Sequence, residues 1–266
     1  PSVTRRGDTF LSLITDKWHS MIKLLFRIYQ ILILLPVVVI ITIFVGIMIM
    51  LVSPLLPESR RVAYNSFMGK MWGKTIVLFS LLPVTVEGRE NIESDKSYVF
   101  VANHLSCYDV FLIFGYLNKN IKWMLKASLM KIPFLGGACR VSGFIPVDTS
   151  SPAKVHETYT NACKAMGDDV SMVIFPEGRR SIDGKLGPFR RGAFLIADKL
   201  QKPVVPITII GTYEVMPRHR DFMFITRTPL KMIIHEPIFP QADENNAEYF
   251  RRESRNVIAR QIEEGR

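Results

Sequence analysis

Hydrophobic positions follow two regimes along the 266-residue chain, and the change between them comes near residue 83. Before it, from Ile28 to Pro57, thirty consecutive positions carry no charged residue. That run exceeds the ~20 apolar residues one helix needs to cross a bilayer. Pro36, Gly46, Pro54 and Pro57 interrupt it, and a proline inside a helix removes a hydrogen bond and kinks the axis. Basic residues stand on both flanks, with Arg5, Arg6, Lys17, Lys23 and Arg27 upstream and Arg60, Arg61, Lys70 and Lys74 downstream. A single span carries more Lys and Arg on its cytoplasmic side. Matched flanks instead predict a kinked hairpin dipping into one leaflet, with a tilted single span as the alternative. The adjoining stretches 10–27 and 64–82 mix apolar and basic residues, as helices lying in the membrane interface do. The expected organisation is membrane-anchoring helices over 1–83, with an apolar core at 28–57, and a second domain over 84–266.

In that second domain short apolar runs alternate with helical stretches. Val84–Val86, Tyr98–Ala102, Ile121–Leu125, Gly143–Val147, Val170–Phe175 and Val204–Ile210 read as short buried strands. The clearest helix is Pro152 to Met166, with Ser151 as N-cap and Gly167 at its stop. The segment from Asn245 to Glu264 is an amphipathic, highly charged helix whose charges a solvated face explains. Strands alternating with helices predict an α/β fold, a mostly parallel central sheet with flanking helices.

Charge changes the picture next. Lys and Arg number 34 against 24 Asp and Glu, a net charge of +10, while 48% of the residues are hydrophobic. Such a balance favours anionic partners such as acidic membrane lipid, nucleic acid or an acidic carrier protein. Nucleic acid would account for the charge only if the thirty-residue apolar run were ignored, so it is set aside. The three cysteines, Cys107, Cys139 and Cys163, lack metal-type spacing and read as reduced thiols.

The chemistry centres on Val101–Val110, VANHLSCYDV. On a continuous helix His104 and Asp109 would lie roughly 140° apart and could not share a face. If Tyr98–Ala102 is a strand reaching the carboxyl edge of the sheet, Asn103–Leu105 is a turn and a helix starts near Ser106. Asp109 can then accept from one imidazole nitrogen, which sets the tautomer and leaves the other nitrogen as a general base. Asp109 reads equally as an acidic residue of a capping-box-like helix start. Phe175–Ser181, FPEGRRS, leaves another strand and delivers Glu177, Gly178, Arg179 and Arg180 to the same kind of edge. Arginines there suit bidentate capture of a phosphate, and a basic surface turn is the competing reading. Lys126, directly after a strand, is either a second phosphate ligand or an exposed lysine. Gly187–Gly192 and Lys202–Pro206 are rigid turns placed to wall such a site. Cys107, near a helix start, is a small buried thiol or, less simply, a nucleophile with His104 as its base.

Four stretches in this order resemble the glycerolipid acyltransferases, most closely those acting on 1-acyl-sn-glycerol 3-phosphate (lysophosphatidic acid). They are Asn103-His104-x-x-x-x-Asp109, Gly143-Phe-Ile-Pro-Val-Asp148, Phe175-Pro-Glu-Gly-x-Arg180-Ser181 and Val204-Val-Pro206. The resemblance runs from about Val84 to Pro217. It departs at Thr149, where the family usually has arginine, and at Arg179, where it usually has threonine. The resemblance implies an acyltransferase domain docked on a membrane by an N-terminal helical pair. It also implies transfer of a fatty acyl group from an acyl thioester to the sn-2 hydroxyl, making phosphatidic acid for phospholipid synthesis. His104 would be the base and Asp109 its partner. Arg180, Lys126 and Arg179 would clamp the phosphate, and Glu177 and Gly178 would position the glycerol. No metal or redox cofactor is expected; the co-substrate is acyl-CoA or an acyl-acyl carrier protein, and anionic membrane lipid is a further partner. A bacterial inner membrane, at its cytoplasmic face, or a plastid membrane is the expected setting. Other lysophospholipids, glycerol 3-phosphate, transacylation from phospholipid, and a non-catalytic lipid-binding role remain alternatives. Hydrolysis lacks a G-x-S-x-G elbow.

Overall fold

The structure is a computed structural model that describes residues 4–148, 150–167, 169–219, 224–242 and 245–265. Thr149 lies outside the described residues.

The expected helical hairpin forms, with its turn at the end of the apolar run rather than at Pro36. α1 (Thr4–Tyr29) continues through a π-helical stretch, Gln30–Leu34, into α2 (Leu35–Val52). Pro36, expected to kink the helix, lies just after the π stretch, and the helix continues through it. Its missing N–H and its ring trouble the carbonyl four residues back, and that position, Leu32, sits in the π stretch, where Leu35 N bonds Gln30 O instead. A local π turn of this kind accommodates an irregularity without ending the helix. The chain reverses only at Ser53–Leu55, a 3-10 turn before Pro57, and returns as α3 (Glu58–Phe79). The arms run antiparallel. Tyr29 Oη donates to Phe79 O at 2.9 Å, Trp72 Nε1 to Thr42 Oγ1 at 2.9 Å, and Tyr64 Oη to Met48 O at 3.3 Å.

The hairpin is joined to the rest of the molecule rather than trailing from it. Gln30, a polar residue of the run, is buried, and its amide donates to Ile225 O and accepts from Ile225 N. On α3, Ile76 and Val77 are fully buried in one core with Phe100 and Leu112. Gly73 permits that close approach, since a Cβ there would lie 2.4 Å from Phe111 O. The remaining faces of α2 stay uncovered: Leu32, Val39, Ile40, Phe44 and Leu51 are all exposed. The helix over Lys17–Leu55 has a mean hydropathy of 3.2 in its most apolar window, of which 17% is buried. By length and composition it can cross a membrane.

The sheet has seven strands: β1 (Val84–Glu87), β2 (Val99–Ala102), β3 (Ile121–Lys126), β4 (Ile145–Val147), β5 (Ser171–Ile174), β6 (Val204–Ile210) and β7 (Leu230–Ile234). Their order is β1-β7-β6-β2-β5-β3-β4, and every pairing is parallel except β6 with β7. The mostly parallel sheet expected from the alternation is therefore present, and β7 is a strand the pattern did not predict. The central strands β2 and β5 are buried at every position, as strands covered on both faces must be. Alternate residues of β2 feed two cores. Phe100 and Ala102 join α3 and α4 (Tyr108–Tyr116), whereas Val99 and Val101 join α7 (Gly192–Leu200) and α8 (Asn246–Glu264). α5 (Leu135–Val141) packs on α2, and α6 (Pro152–Ala165) begins where expected, with Ser151 Oγ accepting from Lys154 N.

Candidate active site

Beyond Ala102, the side chain of Asn103 extends the sheet in place of backbone. Its amide donates to Ile209 O and its oxygen accepts from Ile209 N, both at 2.8 Å and fully buried. This pair stops the ladder at a defined point and turns the chain outward at His104. Nothing but the asparagine itself marks that role in the sequence.

Asp109 unites the two readings of the opening motif. Its Oδ2 lies 2.8 Å from His104 Nδ1 and also accepts from Leu105 N (2.7 Å) and Ser106 N (2.8 Å). It therefore closes the turn before α4 and holds the histidine with one oxygen. Because that oxygen already accepts from two N–H groups, it acts as an acceptor, and the proton of the imidazole resides on Nδ1. Nε2 is left with its lone pair outward. The Asp109 carboxylate is fully buried, while the His104 side chain keeps 16% of its surface exposed. The ring is stacked on Phe175, with centroids 3.8 Å apart and planes 9° apart. Packing and hydrogen bonding together thus leave the imidazole one orientation.

Phe175 brings the second motif to the first, because β5 and β2 are parallel neighbours and release their chains at the same edge. His104 N donates to Glu177 Oε1 and Gly187 N to Glu177 Oε2, both at 2.8 Å. Ser181 N donates to His104 O at 2.8 Å. Glu177 is 7% exposed. Desolvation pushes its carboxyl above the usual range, and the bonds from His104 and Gly187 oppose that rise. With one backbone N–H on each oxygen, Glu177 ties the His104 turn to the turn at Gly187.

The arginines separate into two states. Arg179 is exposed. Arg180 is half-buried, and its Nη1 donates to Cys107 Sγ at 2.8 Å. Arg218 Nη1 in turn donates to Arg180 O, and Tyr213 Oη to Ile182 O. Lys126, exposed at the end of β3, belongs to the same edge, since β3 pairs with β5 through Trp123↔Val173. Gly178 takes a left-handed conformation, φ +72°. Sequence reasoning placed Asn103 in the turn without giving it a role, and did not reach Arg218.

Cys107 gains no nucleophilic character. Burial pushes its thiol up and outweighs the opposing influence of Arg180, whereas a reactive thiol needs a lowered pKa. Cys107→Ala is expected to keep kcat within about fivefold of wild type, while loss of a true nucleophile costs on the order of 10⁶. Single-turnover acyl transfer distinguishes the two.

A histidine held by a buried carboxylate, with cations on the adjoining turn, is an arrangement suited to proton abstraction in group transfer to an anionic acceptor. Comparison with known proteins agrees. The family model described as Acyltransferase matches residues 83–210. A chloroplastic 1-acyl-sn-glycerol-3-phosphate acyltransferase of Brassica napus is 33% identical over 206 residues, covering 77% of this chain and 58% of the relative. A second, from Arabidopsis thaliana, is 31% identical over 210 residues, covering 79% and 57%. This chain thus spans under two thirds of the length of either relative. The crystal structure of the 1-acyl-sn-glycerophosphate acyltransferase of Thermotoga maritima superposes with a TM-score of 0.76 at 28% identity, over 92% of this chain and 96% of that one. Residues 83–210 of this chain thus form a domain of the Acyltransferase family.

Proposed function

We infer that this protein transfers a fatty acyl group from an acyl thioester to the sn-2 hydroxyl of lysophosphatidic acid, yielding phosphatidic acid. The observation that carries the reading is the His104–Asp109 contact of 2.8 Å, with Nε2 facing out beside a cationic turn. Nε2 takes the hydroxyl proton as the oxygen attacks the thioester carbonyl. The thiolate then leaves and recovers that proton from the imidazolium, which Asp109 stabilises meanwhile. Arg180, Arg179 and Lys126 hold the phosphate, Arg180 by virtue of its place over Cys107 beside the base. Gly178 presents backbone rather than side chain to the acceptor.

The apolar faces of α1 and α2 sit in one leaflet of a membrane, with α3 as the arm that joins them to the sheet. Only the buried side of α2 packs on protein, and a lipid acceptor reaches the site from that layer. The kinship with chloroplastic relatives supports a plastid or a bacterial inner membrane as the setting. Acyl-CoA and acyl-acyl carrier protein are both suitable donors for a protein of charge +10.

The test is acyl transfer by the protein in detergent from labelled acyl-CoA and acyl-acyl carrier protein, offering lysophosphatidic acid, lysophosphatidylcholine and glycerol 3-phosphate. Phosphatidic acid from the first acceptor alone is expected. Transfer to another acceptor would reassign the substrate, and no transfer by folded protein would overturn the enzymatic reading.

A further inference from the structure

We propose that Arg190 is a phosphate-binding residue of this site and sets its preference for phosphate-bearing acceptors, a role that rests on the acyltransferase reading above. It lies ten residues or more beyond the recognised arginines, in the turn Gly187-Pro-Phe-Arg-Arg-Gly192. The structure folds that turn back onto the Glu177–Arg180 segment. Gly187 N bonds Glu177 Oε2, and Arg190 N bonds Pro176 O at 2.9 Å. Between them Phe189 is 3% exposed and stacks with Phe194 in the core. The backbone of Arg190 is therefore fixed relative to the catalytic turn from both sides.

Its guanidinium occupies the space that a side chain at position 178 would take. A Cβ on Gly178 would come within 3.1 Å of Arg190 Nε and 3.3 Å of its Cζ. Glycine at 178 thus does two things: it adopts the φ of +72° and leaves room for this cation directly over the turn. Among the described residues the Arg190 side chain has no carboxylate partner, and it is exposed. Arg180, by contrast, is already engaged with Cys107. Glu177, on the segment that Arg190 overlies, has both oxygens bound to backbone N–H groups. An unpaired guanidinium held over a glycine, next to a general base, meets a planar face of phosphate oxygens without displacing any protein contact. The fixed backbone and the vacated Gly178 position aim this guanidinium.

Arg190→Gln and Arg190→Lys test the role, each checked for wild-type thermal unfolding. For lysophosphatidic acid, Arg190→Gln is expected to raise KM about tenfold or more, the scale of a lost charge-assisted pair of bonds. Its kcat should stay within about threefold, and lysine should recover part of the loss. Turnover of monoacylglycerol, which lacks phosphate, should not change between wild type and Arg190→Gln. Titration with glycerol 3-phosphate, followed calorimetrically, should show the same weakening without any acyl transfer. An unchanged KM together with unchanged glycerol 3-phosphate affinity would overturn the proposal, as would an equal loss on monoacylglycerol. Failure of the wild type to acylate lysophosphatidic acid would sink the acyltransferase reading alone, and the glycerol 3-phosphate titration would still decide Arg190.

Discussion

His104→Ala is expected to lower kcat for acyl transfer by roughly 10³-fold or more, the upper range for removal of a positioned general base. The fold should survive it. The bonds that shape the turn run through the His104 backbone, with N on Glu177 Oε1 and O accepting from Ser181 N, and both persist in alanine. The ring's stacking on Phe175 is lost, which costs packing at one side of a partly exposed group. A variant with wild-type far-ultraviolet dichroism, near-normal unfolding temperature and no measurable turnover is the expected result. KM for lysophosphatidic acid should change little, because the imidazole acts on the hydroxyl and not on the phosphate. Activity within tenfold of wild type would mean that another group removes the proton.

Substitution of Asp109 should damage chemistry and fold together, and two variants separate them. Asp109→Ala removes an acceptor on which Leu105 N, Ser106 N and His104 Nδ1 converge, in a place with no solvent. Each buried donor left without a partner costs ~1–3 kcal/mol, so the two backbone N–H groups alone imply a loss of roughly 2–6 kcal/mol. The unfolding temperature should fall by several degrees or more for a chain of this size. Asp109→Asn keeps an oxygen that accepts from those backbone donors, so the fold should be largely retained. It cannot stabilise an imidazolium or insist on a proton at Nδ1, and kcat should fall on the order of 10³-fold. Denaturant unfolding reads the first effect and steady-state kinetics the second. If Asp109→Ala unfolded like wild type, the capping role would be wrong; if Asp109→Asn kept full kcat, the electrostatic role would be.

The opening motif was legible because local chemistry dictates it. A strand ending in small residues, a histidine, then an acid in the first turn of a helix can meet in only one way, and Asp109 indeed serves as turn-closing acceptor and histidine partner at once. The helix from Ser151 was equally legible from its capping hydroxyl. Glu177 was not. Its sequence neighbourhood advertises a polar loop, and only the return of Gly187 to the same carboxylate shows that each oxygen accepts a backbone N–H. Pro36 misled for a related reason: proline's cost is set by the local helix, and the π stretch before it removes the clash. β7 escaped notice because Leu230–Ile234 follows a stretch without strand character and becomes a strand only by pairing antiparallel with β6 and parallel with β1.

By itself the sequence determined the period of most elements, the thirty-residue apolar run and the residue types that chemistry needs, since these depend on neighbours within a turn or two. Tertiary structure alone decided which motifs meet. Parallel pairing of β2 with β5 sets His104 beside the Glu177 turn. The fold-back of 187–190 places a second guanidinium over Gly178. Gln30 clamps Ile225, 195 positions away, and so fixes the apolar helix against the catalytic half. Contacts across such separations are chosen by burial and hydrogen-bond satisfaction in three dimensions, and a one-dimensional pattern carries no record of them.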